Sequence, residues 1–124
     1  MAKGQPAILV VEDDPALNDA YKMILSTAGY TTQTAFNGVE ALAVTERFSP
    51  DIIFLDLRMP VLDGIGFLKK YQSKTKHKHV KIIIFSNYDM QSEVDEAFRL
   101  GAERYVLKAW ASPSELVKIV QDLS

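Results

Sequence analysis

At 124 residues the chain is the size of one compact domain, and a 48% hydrophobic content suits a packed core and is too high for a disordered segment. A formal net charge of −2 gives no electrostatic reason to expect nucleic acid or an anionic membrane as main partner. The lack of cysteine excludes disulfides, thiolate metal sites and a cysteine nucleophile.

Five β-branched runs recur along the chain, each followed by a segment of helical period. Ala7 to Val11 is the first and is almost wholly apolar. Asp14-Pro15 then supplies an N-cap and a proline at the first helical position, and Gly29 stands where a helix-ending glycine belongs. Between them Leu17, Ala20, Tyr21, Ile24, Leu25 and Ala28 form a predicted inward stripe. Tyr30 to Ala35 is a more polar, alternating run, as an edge strand would be. Asn37-Gly38 opens a second helix with Ala41, Leu42 and Phe48 inward, closed by Ser49-Pro50. Asp51 to Leu55 is the third run, and Asp63-Gly64 opens a helix carrying Phe67, Leu68 and Tyr71. A basic stretch from Lys74 to Lys81 holds His77 and His79. A solvated loop is the expectation there, because two histidines without a third ligand make a poor metal site. Val80 to Phe85 is the fourth strand. Ser92 to Leu100 follows as a helix with Val94, Ala97 and Phe98 predicted inward, and Gly101 at its end. Arg104 to Leu107 is the fifth strand, and Ser112-Pro113-Ser114-Glu115 reads as cap, proline and capping box for a last helix.

Strict β-α alternation with near-continuous apolar strands predicts an α/β fold, a doubly wound parallel sheet covered on both faces. Five strands favour the order 2-1-3-4-5, flavodoxin-like (βα)5. No apolar run approaches the ~20 residues that span a bilayer, and Met1 to Gln5 carries no leader-like apolar segment. The expectation is therefore a single cytoplasmic domain over 1–124, its core at about 7–123, with no membrane partner.

Ligands in such sheets bind beyond the carboxyl ends of the strands, where strand order reverses. The residues just past the apolar runs are Glu12, Asp13 and Asp14 after the first, Asp56 after the third, Ser86 after the fourth and Lys108 after the fifth. Clustered carboxylates repel unless a cation lies among them. Magnesium, a hard ion that takes oxygen ligands and phosphate together, answers that need. A lysine and a hydroxyl suit phosphoryl oxygens, and a carboxylate can itself become an acyl phosphate. The bland reading is that each residue is structural, with Asp14 merely a helix cap. The set as a whole favours chemistry.

Ile8 to Asp14, the block Asp56-Leu57-Arg58-Met59-Pro60-Val61-Leu62-Asp63-Gly64, and Tyr105 to Lys108 together resemble the CheY-like receiver domain of two-component response regulators. The resemblance runs from about Ala7 to Leu123. It implies Asp56 as phosphoacceptor, with Glu12, Asp13, Asp56 and the Arg58 backbone carbonyl holding Mg2+ or Mn2+. It also implies Ser86 and Lys108 on the phosphoryl group, and Ser86 with Tyr105 as a conformational switch. The implied partners are a sensor histidine kinase or histidine phosphotransfer protein and a downstream protein bound on the face of helix 4, strand 5 and helix 5. That face could also carry a homodimer, and no direct nucleic-acid contact is implied.

The chain departs from the family pattern at three places. Ala109 follows Lys108, where the family usually has a cis-proline. A cis bond to alanine costs ~2.5–4 kcal/mol against ~0.5–1 for proline, so either the loop runs trans with Lys108 placed differently or its surroundings enforce the strained form. Asn87 follows Ser86, where a small residue is usual. Arg58 either folds over the phosphate or points to solvent. Competing readings are a magnesium-dependent phosphatase, a degenerate receiver acting only by binding, and a flavin protein. The first would want an aspartate at position 58, and the last a hydroxyl- and glycine-rich loop in place of three acids.

Overall fold

Parallel strands β1 (Ala7–Val11), β2 (Thr31–Ala35), β3 (Ile52–Leu55), β4 (Lys81–Ser86) and β5 (Ala102–Leu107) form one sheet in the order 2-1-3-4-5. Helices α1 (Pro15–Thr27), α2 (Gly38–Arg47), α3 (Gly64–Tyr71), α4 (Gln91–Arg99) and α5 (Pro113–Leu123) connect or follow them. The computed structural model describes residues 5–87 and 90–123, so most of the segment read for a leader lies outside the described residues.

The apolar runs make sense once both faces are seen. Leu9, Val11, Ile53, Leu55, Ile82 and Ile84 point into the core that contains Ala41, Phe67 and Ala97. The alternate residues Ile8, Val10, Ile52, Phe54, Ile83 and Phe85 point into the core with Leu25, Leu116 and Val120. A central strand buried on both faces has no use for polar alternation, whereas edge strand β2 keeps it, with Thr32 and Ala35 buried and Thr31 and Gln33 exposed.

Helix starts follow the expected cap chemistry. Asp14 accepts from the amides of Ala16 and Leu17, Asn37 from Glu40, Asp63 from Gly66 and Ser112 from Glu115. Helix α4 differs: Met90 occupies its N-cap and offers no side-chain oxygen.

Several inward assignments need correction. Ala20 on α1 and Ala28, its C-cap, are exposed, and the buried positions are Leu25 and the polar Asn18. Phe98 is 41% exposed, because α4 buries only Ala97 fully. The predicted β5 starts two residues late, and a short 3-10 turn at Lys108–Trp110 was not foreseen. The Lys74–Lys81 stretch is the largely exposed loop expected before β4, anchored at a few points. The His77 ring stacks on Tyr71 at 3.9 Å, its Nδ1 lies 2.8 Å from the Tyr71 carbonyl, and Lys74 Nζ donates to the Arg99 carbonyl.

One glycine fixes how closely α3 approaches the sheet edge. A Cβ on Gly64 would lie 2.5 Å from the Asp56 carbonyl oxygen and 2.8 Å from Leu57 Cα. Both are backbone atoms that cannot rotate away. Gly64→Ala is expected to cost about 1–3 kcal/mol, the usual range for overpacking, as read from urea unfolding midpoints. A midpoint equal to wild type would show that the loop after β3 yields freely.

Candidate functional site

At the carboxyl edge the backbone ladder runs past the strand ends and sets the side chains that follow. The Glu12 amide donates to the Ala35 carbonyl and the Asp56 amide to the Val11 carbonyl. Asn18, buried on α1, donates from Nδ2 to both the Glu12 and the Ala35 carbonyls, at 3.0 and 3.1 Å. It locks the exit of β1 against β2 and α1. A reading of apolar periodicity passes over it, and the available signal was an amide one helical turn past the Asp14 cap, on the inward face.

Glu12, Asp13 and Asp56 each bring one carboxylate oxygen into a group whose atoms all lie within 4.8 Å of one another. Glu12 and Asp56 are buried and Asp13 is exposed. With Asp14, Leu17, Arg58, Asn87 and Lys108 they line a cavity of about 250 Å³. Asp14 also has the capping role foreseen for it.

Lys108 enters from the far side. Its Nζ lies 2.7 Å from Asp56 Oδ2 and in contact with Glu12 Oε1, and all three side chains are less than a tenth exposed. Burial pushes the Glu12 carboxyl above its usual value, and the hydrogen bond from Lys108 only partly opposes this. Burial alone would depress the Lys108 ammonium, but its hydrogen bonds to Asp56 and Glu12 outweigh that and raise it. Every peptide bond among the described residues is trans, that to Ala109 included. The trans loop therefore does not cost Lys108 its reach to Asp56.

Ser86 is fully buried at the end of β4, opposite Leu107 of β5. Tyr105 is half-buried against the α2–α3–α4 core and lines a groove with Val106, Leu107, Ala111 and Ile119. Arg58 is exposed on the rim of the cavity. Its amide donates to Asp56 Oδ1 at 3.1 Å, while its guanidinium reaches α4, 2.5 Å from Glu93 Oε1 and 3.3 Å from Met90 Sδ. A half-exposed pair of this kind is worth about 0.2–1 kcal/mol.

The donor set fits a hard divalent cation. Three carboxylates converge against one ammonium, so two negative charges stand uncompensated in a shared cavity, and all available ligand atoms are oxygens, as magnesium prefers. Without such a cation Lys108 is the ammonium that offsets the repulsion between Glu12 and Asp56. Lys108→Met should lower stability in metal-free buffer by about 3 kcal/mol, as expected when one partner of a buried ion pair is removed. The sign with pH follows from the raised ammonium. The contribution is complete below the ordinary lysine value of 10.5 and is lost only as pH climbs through the higher folded-state value. Urea unfolding of both proteins from pH 7 upward checks this; a difference that vanishes below pH 10 would contradict it.

A family model described as the response regulator receiver domain matches residues 8–121. The nitrate/nitrite response regulator protein NarL of Escherichia coli K12 is 34% identical over 121 residues, which are 95% of this chain and 55% of NarL. The chain thus spans about half the length of curated relatives such as this one. Among solved structures, chemotaxis protein CheY4 of Vibrio cholerae superposes with a TM-score of 0.88 at 27% identity, covering 98% of this chain and all of that one. The receiver domain of sensor histidine kinase PA1611 of Pseudomonas aeruginosa PAO1 superposes at 0.82 with 28% identity, covering 98% of each chain. That structure has a magnesium ion coordinated in its active site cleft.

Proposed function

The chain belongs to the response regulator receiver domain family, and hence to two-component signalling, and from that premise we propose that Asp56 is its phosphoacceptor. The observation that carries the proposal is the convergence of the Glu12, Asp13 and Asp56 carboxylates with the Lys108 ammonium on one rim. In this reading residues 1–124 act as a single receiver unit with its core at 7–123.

An Asp56 carboxylate oxygen attacks the phosphorus of a phosphohistidine. The new O–P bond forms as the P–N bond breaks, and the bonding pair returns to the imidazole nitrogen. Glu12, Asp13, Asp56 and the Arg58 carbonyl would hold Mg2+ or Mn2+, which supplies charge neutralisation on the phosphoryl oxygens when bound. Lys108 exchanges its Asp56 oxygen for a phosphoryl oxygen, a short transfer for a side chain already 2.7 Å away. The buried Ser86 hydroxyl takes another, and its displacement opens room for Tyr105 to turn inward. Such a turn would reshape the groove of about 640 Å³ along β5 and α5, where a downstream protein, or a second copy of this chain, would read the change.

The phosphodonor would be a sensor histidine kinase or histidine phosphotransfer protein. A phosphatase reading is disfavoured by Arg58, a cation that cannot serve as general acid where such enzymes place an aspartate. The degenerate-receiver reading is disfavoured by the Lys108–Asp56 contact. No helix among the described residues is long and apolar enough to cross a membrane.

Incubation with acetyl phosphate and Mg2+ should give a single phosphoryl adduct by intact mass, absent without Mg2+ and absent in Asp56→Asn. An adduct that survives in Asp56→Asn would move the acceptor elsewhere, and no adduct in the wild type would end the phosphoswitch reading.

A further inference from the structure

Arg58 is the second cation lining the acceptor cavity, and nothing in the reaction described above uses its guanidinium. It is committed instead to Glu93 in the first turn of α4, across 35 positions of chain. Among the described residues that turn has few other anchors. Its N-cap, Met90, supplies no side-chain oxygen, and the Glu93 and Val94 amides both fall back on the Met90 carbonyl. The other four long helices begin with a side-chain cap. The Arg58–Glu93 pair is therefore a strap between the acceptor loop and an uncapped helix.

Phosphorylation changes the charge at one end of that strap. Asp56 gives up its single negative charge and gains a phosphoryl group of about −1.5 to −2 with several strong acceptor oxygens. The backbone of Arg58 is already hydrogen-bonded to Asp56 Oδ1 at 3.1 Å, so its side chain starts beside the new group. A guanidinium matches phosphoryl oxygens in geometry and charge better than a lone, partly solvated carboxylate does. Resting on the assignment of Asp56 as acceptor, we propose that Arg58 is a further phosphoryl-binding residue held in reserve by Glu93, so that its transfer to the phosphoryl group unstraps the first turn of α4. Glu93 competes with the phosphoryl group for one guanidinium and thereby sets both phosphoryl affinity and the tightness of α4.

The test uses beryllium fluoride with Mg2+ as a phosphoryl mimic, its affinity measured by 19F NMR titration, together with hydrogen exchange at Gln91–Asp95. Arg58→Gln should bind the mimic more weakly and Glu93→Gln more tightly, each by roughly two- to fivefold, the range a half-exposed ion pair can contribute. The double variant should match Arg58→Gln alone. Exchange at Gln91–Asp95 should rise on mimic binding in the wild type. In both single variants it should already be high, and insensitive to the mimic. Arg99→Gln removes the pair with Glu96 at the other end of α4 and should change neither reading. Equal mimic affinity in all variants, or a wild-type exchange response that persists in Arg58→Gln, would overturn the proposal. Intact mass after acetyl phosphate in the same samples separates the two levels: no adduct in any variant means the acceptor assignment itself has failed.

Discussion

Lys108 reaches under the strand ends to Glu12 and Asp56, and the rest of the carboxyl edge is built around that contact. Two buried carboxylates this close repel each other, and the nearby Asp13 adds to that repulsion. One ammonium is enough to assemble the cluster but not to neutralise it. The uncompensated charge makes the site receptive to a divalent cation, and the same ammonium can pass to a phosphoryl oxygen without crossing the cavity. A fully neutralised cluster would be more stable and would have less affinity for either. Stability given up at this rim is recovered in the two apolar cores that sandwich the sheet.

Those cores also explain why the site can respond to a change of charge without losing its frame. Glu12 and Asp56 continue the strand ladder through their own amides, Asn18 clamps the β1 exit, and Gly64 lets α3 sit hard against the Asp56 carbonyl. The acceptor loop is held by backbone contacts on nearly every side. The α4 side is different. There the N-cap Met90 offers no side-chain oxygen, Ala97 is the one helix residue fully buried, and β5 beneath it is half-covered along most of its length. A perturbation at Asp56 would meet close packing toward α1 and α3 and thinner packing toward α4, which on the proposed mechanism is the side on which a signal leaves.

Much of this was legible from residue order, for physical reasons that vary by element. Strands β1, β3 and β4 read clearly because burial on both faces demands unbroken apolar runs, and four helix starts read clearly because Asp14, Asn37, Asp63 and Ser112 carry local cap chemistry. The convergence of Glu12, Asp13, Asp56 and Lys108 on one rim, with Ser86 at the end of β4, followed from the rule that strand ends share an edge. What escaped was tertiary. Asn18 is a polar residue on an inward face, where a count of apolar positions finds nothing. Phe98 looked inward by period, yet the stripe α4 buries is narrower than the period allows. The course of Arg58 depends on Glu93, and no local pattern links positions 35 residues apart.

The alanine after Lys108 shows how a departure from a family pattern can be absorbed. A cis-proline would turn the chain sharply at that point; here the bond is trans, and the turn is made instead by a 3-10 segment in which the Ala111 amide donates to the Lys108 carbonyl at 3.2 Å. Strand β5 stays extended through Leu107, so Lys108 leaves it at the edge and its long side chain covers the remaining distance to Asp56. The requirement is therefore the position of the ammonium rather than the isomer of the next bond. A loop with Ala109 also keeps an N–H that proline would lack and is free of proline's fixed φ. The segment joining β5 to α5 is left less constrained than a proline would make it, beside the groove that carries Tyr105. On the proposed mechanism, the departure bears less on forming the acyl phosphate than on how stiffly the β5–α5 face would answer to it.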